Sequence, residues 1–379
     1  MLGLGVWATI RRTRRIARSV PDSELPPISL LKPLKGLEES LEANLRTFFE
    51  QDYPAALEIV FATTEADDEA LPLARRLAAE YPEIPTRFVL SDASFGLNPK
   101  VANLAGALRV ASHPIVLQSD ANVRVRRDYL RRVVGELEAE GADLLTSLVA
   151  GVEERSVGAA MENLQLTAFI SPAMCTALEV ASIRCVVGKS MLFRREALAA
   201  VGGLESVRDI LAEDFVLGDR FDAAGLKVIL SLTTVENVNQ HTSIEAFFAR
   251  HSRWLKMRAV IHLGGFVGDL FANPVALGVG AVLVSDFEPR VMLALGAIAL
   301  LKMGLDVFFV RRIRGVPMHL GHHLLGPIKD ALMGAAWIYS AFSRTVTWRG
   351  VRLRLGAQSR LRPDNGALPI RLARRLLRV

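Results

Sequence analysis

Cysteine is all but missing: Cys175 and Cys185 are the only two in 379 residues, and they are not in CxxC spacing. That excludes a disulfide framework and a cysteine-based zinc site, leaving two reduced, structural thiols of a cytoplasm-facing domain. Aromatics are few, at 7%, and they do not interleave with basic residues. With no nucleic-acid-binding motif either, nucleic acid is set aside as a partner. No serine or cysteine sits in an obvious nucleophile setting. The opening MLGLGVWATI lacks a signal-peptide cleavage site, and its ten residues are half of what a spanning helix needs. Residues 1–25 fit an interfacial anchor or the stub of a longer native segment.

Charge of one sign fills both ends. Arg11, Arg12, Arg14, Arg15 and Arg18 have no acid among them. The tail carries Arg349, Arg352, Arg354, Arg360, Arg362, Arg371, Arg374, Arg375 and Arg378 against a single Asp364. With a net charge of +6 and apolar runs beyond about residue 260, these ends point to an anionic membrane surface.

From residue 28 to about 235, short apolar strands alternate with amphipathic helices. Strands are expected at 28–32, 57–63, 86–92, 114–120, 143–151 and 225–232, and helices at 37–49, 68–81, 98–111 and 129–140. Such alternation builds a mostly parallel sheet covered on both faces, with ligands at the carboxyl ends of its strands. At 244–261 Phe247, Phe248, Trp254 and Leu255 stand among positive charges, the composition of an interfacial helix.

Three apolar segments follow, at 266–285, 290–310 and 323–343. The first two are long enough to span a membrane, whereas the third holds Pro327, Lys329 and Asp330. Acidic DFEP (286–289) outside and basic RRIRG (311–315) inside would place the α/β part in the cytoplasm. A third full crossing would put the arginine-rich tail outside, so either that segment is re-entrant or interfacial, or the charge rule fails. The expected plan is a 1–25 anchor, a 26–243 catalytic domain, a 244–262 interfacial helix, membrane helices over 263–345 and a basic cytoplasmic-type tail over 346–379.

The chemistry-bearing residues gather at strand ends and helix starts. In LQSDANVRV (117–125), Asp120 and Asn122 offer hard oxygens two residues apart after an apolar strand. Mg²⁺ or Mn²⁺ takes such ligands and shares them with phosphates, although an Asx turn ends strands in the same way. Asp68 follows the second strand and could hold a ribose or cap the next helix. Lys100 and Asn103 open a helix in GLNPKVANL, where phosphate is attracted. Glu213 and Asp214 head another helix, either as partners of its dipole or with one of them as a general base, its pKa raised by burial. In RHSRW, Arg250 and Arg253 lie three apart beside Trp254, suited to phosphate and to an acceptor or membrane interface.

Taken in order, these motifs resemble the membrane-bound family 2-like glycosyltransferases, and most closely the ceramide glucosyltransferase family (family 21). The family pattern of three aspartates followed by (Gln/Arg)-x-x-Arg-Trp is met by Asp68, Asp120, Asp214 and Arg250, Arg253, Trp254. SLLKPLKG (29–36), FFEQDYP (48–54), RCVVGKSMLFRR (184–195) and TWRGVRLRL (347–355) resemble it too. The resemblance implies a GT-A fold with C-terminal membrane helices, a UDP-sugar donor, a divalent metal (Mg²⁺ or Mn²⁺) and inverting transfer of a hexose to a lipid hydroxyl such as that of ceramide. It assigns nucleotide-sugar binding to Asp68, Lys100, Asn103, Asp120, Arg250 and Arg253, the metal to Asp120 and Asn122, the base to Asp214, and the acceptor side to Trp254.

The chain departs from the family at three points. It nearly lacks the N-terminal spanning helix, it has Asn122 where many relatives carry aspartate, and it has Ser171 where animal enzymes have a histidine before the proline. The last bears on the acceptor, because LQLTAFISPAMCTAL (164–178) is apolar and would line an acceptor groove or form core. A hopanoid-type N-acetylglucosaminyltransferase would share this site. A processive polysaccharide synthase would need more spanning helices, and a non-catalytic membrane scaffold would not need the full acid set.

Overall fold

The computed structural model describes residues 2–348 and 351–364. Its first four long strands are β1 (Ile28–Pro33), β2 (Leu57–Thr63), β3 (Thr86–Leu90) and β4 (Ile115–Ser119). Ile28, Leu30, Leu31, Val60, Val116 and Leu117 are fully buried, because helices cover both faces of the sheet and favour apolar residues at successive strand positions. After β5 (Val123–Arg124) come β6 (Leu144–Val152), β7 (Ser190–Arg194) and β8 (Val228–Val238). The sheet order is β3-β2-β1-β4-β7-β6-β8-β5. Pairing is parallel from β3 through β4, while β7 enters antiparallel between β4 and β6.

The turn before β7 and the helix starts at the strand ends position the site. Asn98 accepts from the backbone N–H groups of Lys100 (3.0 Å) and Val101 (3.2 Å), and Pro99 opens the helix Pro99–Val110. This cap fixes Lys100 in the first turn. The helix Glu213–Ala223 begins with its two acids at the positive dipole end.

The membrane-type region is helical in each of its apolar segments. Segment 290–310 forms one helix, Pro289–Arg314, of 26 residues and mean hydropathy 2.0, long and apolar enough to cross a membrane. Segment 266–285, expected to be long enough to span, is the pair Leu263–Phe271 and Pro274–Val284, which together are long and apolar enough but are bent by 70°. Asn273 caps the second helix by accepting from Ala276 N–H, and Pro274 cannot continue the first. Segment 323–343 contains the 17-residue helix Gly326–Phe342, whose Lys329 and Asp330 are buried in protein. The stretch 164–178 lies within a 25-residue helical run, Val157–Ala181, that is also long enough to span, with a π-turn at Leu166–Ile170.

Buried ion pairs tie these helices together. Lys302 pairs with Asp306, and also with Asp330 at 3.5 Å. Lys329 meets Asp330 at 2.5 Å and donates to Gln165 Oε1 at 2.9 Å. Such charges are retained inside an apolar layer only when partnered.

Both basic ends are more structured than expected. The helix Leu2–Thr13 packs on Ser171–Ala181, where Arg11 and Arg15 reach Glu179 at 2.7 and 3.2 Å. The expected tail instead begins with β9 (Thr345–Trp348), β10 (Val351–Leu355) and β11 (Leu361–Pro363), an antiparallel sheet. Val346, Leu353, Leu355 and Leu361 pack with Leu211, while the alternate arginines point away. Leu211 N–H donates to Ser359 O at 3.1 Å and Leu361 N–H to Asp209 O at 2.7 Å, docking this sheet just before Glu213. Arg349, Arg371, Arg374, Arg375 and Arg378 lie outside the described residues.

Candidate active site

The carboxyl end of β4 delivers Asp120 into a pair of lysines. Lys100 Nζ lies 3.0 Å from Asp120 Oδ1, and Lys189 Nζ lies 3.2 Å from Asp120 Oδ2. Burial alone would raise the pKa of Asp120, but the two ammoniums outweigh it and hold the carboxyl well below the usual range. Lys189 also donates to Asn122 Oδ1 at 2.9 Å. From the opposite side, Lys100 reaches Glu213 Oε1 at 3.1 Å and donates to Gly188 O at 3.2 Å. Burial works to lower the Lys100 pKa, while Asp120, Glu213 and Asp214 raise it more, so it stays charged.

Gly188 is the hub of this arrangement. Its N–H donates to Asp214 Oδ2 at 2.5 Å, and its carbonyl accepts from Lys100. A Cβ there would stand 2.9 Å from both Asp214 Oδ2 and Lys100 Nζ, so a side chain at this position would displace both groups from the turn. Asp214 Oδ1 accepts from Phe215 N–H at 2.8 Å. Asp214 is half-buried, whereas its neighbour Glu213 is buried, and burial raises the pKa of Glu213.

Asp68 and Asn103 stand further back. Asp68 is buried and accepts from Gly36 N–H at 3.0 Å, Thr63 Oγ1 at 3.2 Å and Ala70 N–H at 2.9 Å. It fastens the loop after β1, where Gly36 takes a left-handed φ of 66°. Asn103 donates to Leu34 O at 3.2 Å in the same loop. Lys32, at the end of β1, is buried and donates to Ser119 Oγ (3.1 Å) and Asp120 O (3.0 Å). Burial pushes the Lys32 pKa well down.

The RHSRW motif is anchored by a residue outside it. Arg250 Nη1 donates to Glu162 Oε1 at 3.0 Å and to Asn239 Oδ1 at 3.4 Å, and His251 Nε2 lies 3.0 Å from Glu162 Oε2. Arg250 is thus engaged with the helix Val157–Gln165 rather than with the lysine–aspartate group. Arg253 and Trp254 are half-buried. Trp254 meets His251 edge-on at 5.4 Å and lines a cleft with Phe169, Leu255, Arg258, Met333 and Trp337.

The structure therefore joins Lys100, Asp120, Asn122 and Asp214 in one cluster and adds Glu213, Gly188 and Lys189. Lys189, Lys32 and Glu162 were missed by the sequence reading; a charged residue inside the apolar stretches around β1 and 157–181 was the available signal. Among the described residues no group of three or more His, Cys, Asp or Glu gathers as a metal site. Asp120 and Asn122 nonetheless offer hard oxygens with a cation, the Lys189 ammonium, already seated between them. That donor set fits a divalent ion that takes its remaining ligands from a substrate phosphate.

Comparison with known proteins identifies the family of the chain. Residues 2–361 match the sequence model of glycosyl transferase family 21. Ceramide glucosyltransferase 1 of Caenorhabditis elegans is 28% identical over 242 residues, covering 63% of this chain and 51% of that protein. Ceramide glucosyltransferase 3 of the same organism is 29% identical over 238 residues, covering 62% and 51%. The ceramide glucosyltransferase of Gibberella zeae is 24% identical over 438 residues, covering 86% and 83%. The chain spans about half the length of the two nematode relatives. A mannosyltransferase from Pyrobaculum calidifontis, solved in complex with GDP-Man and Mn²⁺, superposes with a TM-score of 0.50 at 18% identity, covering 89% of this chain and 94% of that one. The α/β domain thus has the GT-A fold.

Proposed function

Because this chain belongs to glycosyl transferase family 21, we propose that it moves a hexose, glucose in the first instance, from a UDP-sugar to the hydroxyl of a membrane lipid such as ceramide. The observation that carries the reading is the convergence of Asp120, Lys100, Gly188 and Asp214 at the carboxyl end of β4. There a donor diphosphate meets fixed positive charge, and a half-exposed carboxylate stands across the Gly188 turn.

Inverting transfer needs one base on the acceptor side and no protein nucleophile. Asp214 fills that role: each of its oxygens accepts one backbone N–H and keeps a lone pair for the acceptor proton. Glu213, buried against Lys100 and Asn98, orients the lysine instead. Lys100 and Asp120 position the diphosphate, while Asp68 and Asn103 shape the loop beside the nucleotide. A divalent ion held by Asp120 and Asn122 would supply further charge to the departing diphosphate. Arg250 and Arg253 present Trp254 to the acceptor, whose chain would follow the cleft between Phe169 and Trp337.

The same reading puts the α/β domain on the cytoplasmic face, and the basic end of the long apolar helix supports it. Arg314, at the basic end of the helix Pro289–Arg314, pairs with Glu154 at 3.0 Å, so that end of the span lies against the catalytic domain. The test incubates purified protein and Mg²⁺ or Mn²⁺ with labelled UDP-glucose and UDP-N-acetylglucosamine and a panel of ceramide and hopanoid acceptors. Transfer of glucose to ceramide is expected. No transfer and no UDP release from any pairing would overturn the reading.

A further inference from the structure

Lys189 sits where a cation would be needed. Its ammonium lies between Asp120 Oδ2, at 3.2 Å, and Asn122 Oδ1, at 2.9 Å. Of these partners only Asp120 is charged, and Lys100 already holds its other oxygen at 3.0 Å. Lys100 is also paired with Glu213 at 3.1 Å, so Asp120 is shared between the two ammoniums and is the charged partner of Lys189. Both lysine side chains keep some exposure, 16% for Lys100 and 15% for Lys189, at the strand edge where ligands bind. Arg250, another candidate for phosphate, has its Nη1 taken up by Glu162 and Asn239.

We propose that Lys189, together with Lys100, is a built-in cationic clamp for the donor's diphosphate, so that nucleotide binding persists without a divalent ion. The proposal rests on the UDP-sugar reading of the same site. The Gly188–Lys189 turn leads directly into β7, an interior strand, so its ammonium is carried beside the carboxyl end of β4 on the rigid sheet. On donor binding, the phosphate oxygens replace Asn122 and one oxygen of Asp120 as partners of Lys189. Asp120 then aims both lysines rather than acting only as a metal ligand. A divalent ion entering between Asp120 and Asn122 must displace this ammonium, so Lys189 lowers metal affinity in the absence of nucleotide.

The test is calorimetric titration of the full chain in detergent with UDP, in excess EDTA and in Mn²⁺, for wild type, Lys189→Met and Lys189→Arg. Wild type is expected to bind UDP in EDTA. Lys189→Met should weaken that binding about 10- to 100-fold, the usual worth of a hydrogen bond to a charged group, while Lys189→Arg keeps most of it. Mn²⁺ binding without nucleotide, read by paramagnetic resonance, should tighten in Lys189→Met. Wild-type UDP binding only with Mn²⁺, or undiminished binding of Lys189→Met in EDTA, would overturn the clamp while leaving the UDP-sugar reading intact. Absence of UDP binding under both conditions would overturn that reading and the clamp with it.

Discussion

Arg250 donates to Glu162 at 3.0 Å, and Glu162 is wholly shielded from water. His251 shares the same carboxylate. Removing one partner of a buried ion pair costs about 3–5 kcal/mol, because the other charge is left without compensation. Glu162→Ala is therefore expected to lower the thermal midpoint in detergent sharply, and Glu162→Gln less. A double-mutant cycle with Arg250→Ala should give a coupling of at least ~1 kcal/mol. Strictly additive losses would show that the pair does not hold the motif in place.

Asp214 and Glu213 are adjacent but differently placed, and their variants should separate by kinetics. Asp214→Asn is expected to reduce kcat by ~10²- to 10⁴-fold, the usual worth of a general base, with KM for the UDP-sugar little changed. Glu213→Gln loosens Lys100 and should act mainly on KM for the donor. If Glu213→Gln costs more in kcat than Asp214→Asn, the base must be reassigned.

The Asp120–Lys100 pair sets a pH window. The Asp120 pKa is lowered on folding, so its contribution is full above the unfolded carboxyl value of about 3.9 and fades as pH falls through the folded value. The Lys100 pKa is raised, so its contribution is full below about 10.4 and fades as pH rises through the folded value. Glu213 acts oppositely to Asp120: with its pKa raised, its contribution is greatest below about 4.3 and fades as pH rises through the folded value. Wild-type stability, followed by thermal unfolding from pH 3 to 7, should fall on the acid side. Asp120→Asn should flatten that fall, and an unchanged slope would remove Asp120 from the account.

The sheet was legible where burial on both faces makes a strand a largely apolar run, as in Ile28–Pro33 and Ile115–Ser119. β7 was not: SMLFR is short, and it is defined by antiparallel pairing with residues 45 to 79 positions away in the chain. Lys189 went unseen for the same reason, since next to an unrecognised strand it reads as an ordinary surface lysine. Asp120 and Asp214 were placed by motif order, but the glycine that connects Lys100 to Asp214 emerges only from the packing. The break at Asn273–Pro274 was written in the sequence and was outweighed by the apolar run around it. The alternation in VRLRL likewise held a strand beneath its arginines.

Lys329 and Asp330, buried neighbours on the helix Gly326–Phe342, give a last test. Lys329 bonds Asp330 at 2.5 Å and Gln165 at 2.9 Å, joining the helix Gly326–Phe342 to the helix Val157–Gln165. Lys329→Met leaves Asp330 with Lys302 alone, which Asp306 already claims. The cost should be about 3–5 kcal/mol, seen as a lower thermal midpoint in detergent. The double variant Lys329→Met, Asp330→Leu leaves a neutral Lys302–Asp306 pair. It also keeps the Asp330 backbone carbonyl that accepts from Asn273 at 2.8 Å. It should therefore recover much of the loss. A single variant no less stable than the double would mean that these charges are not held as a balanced set.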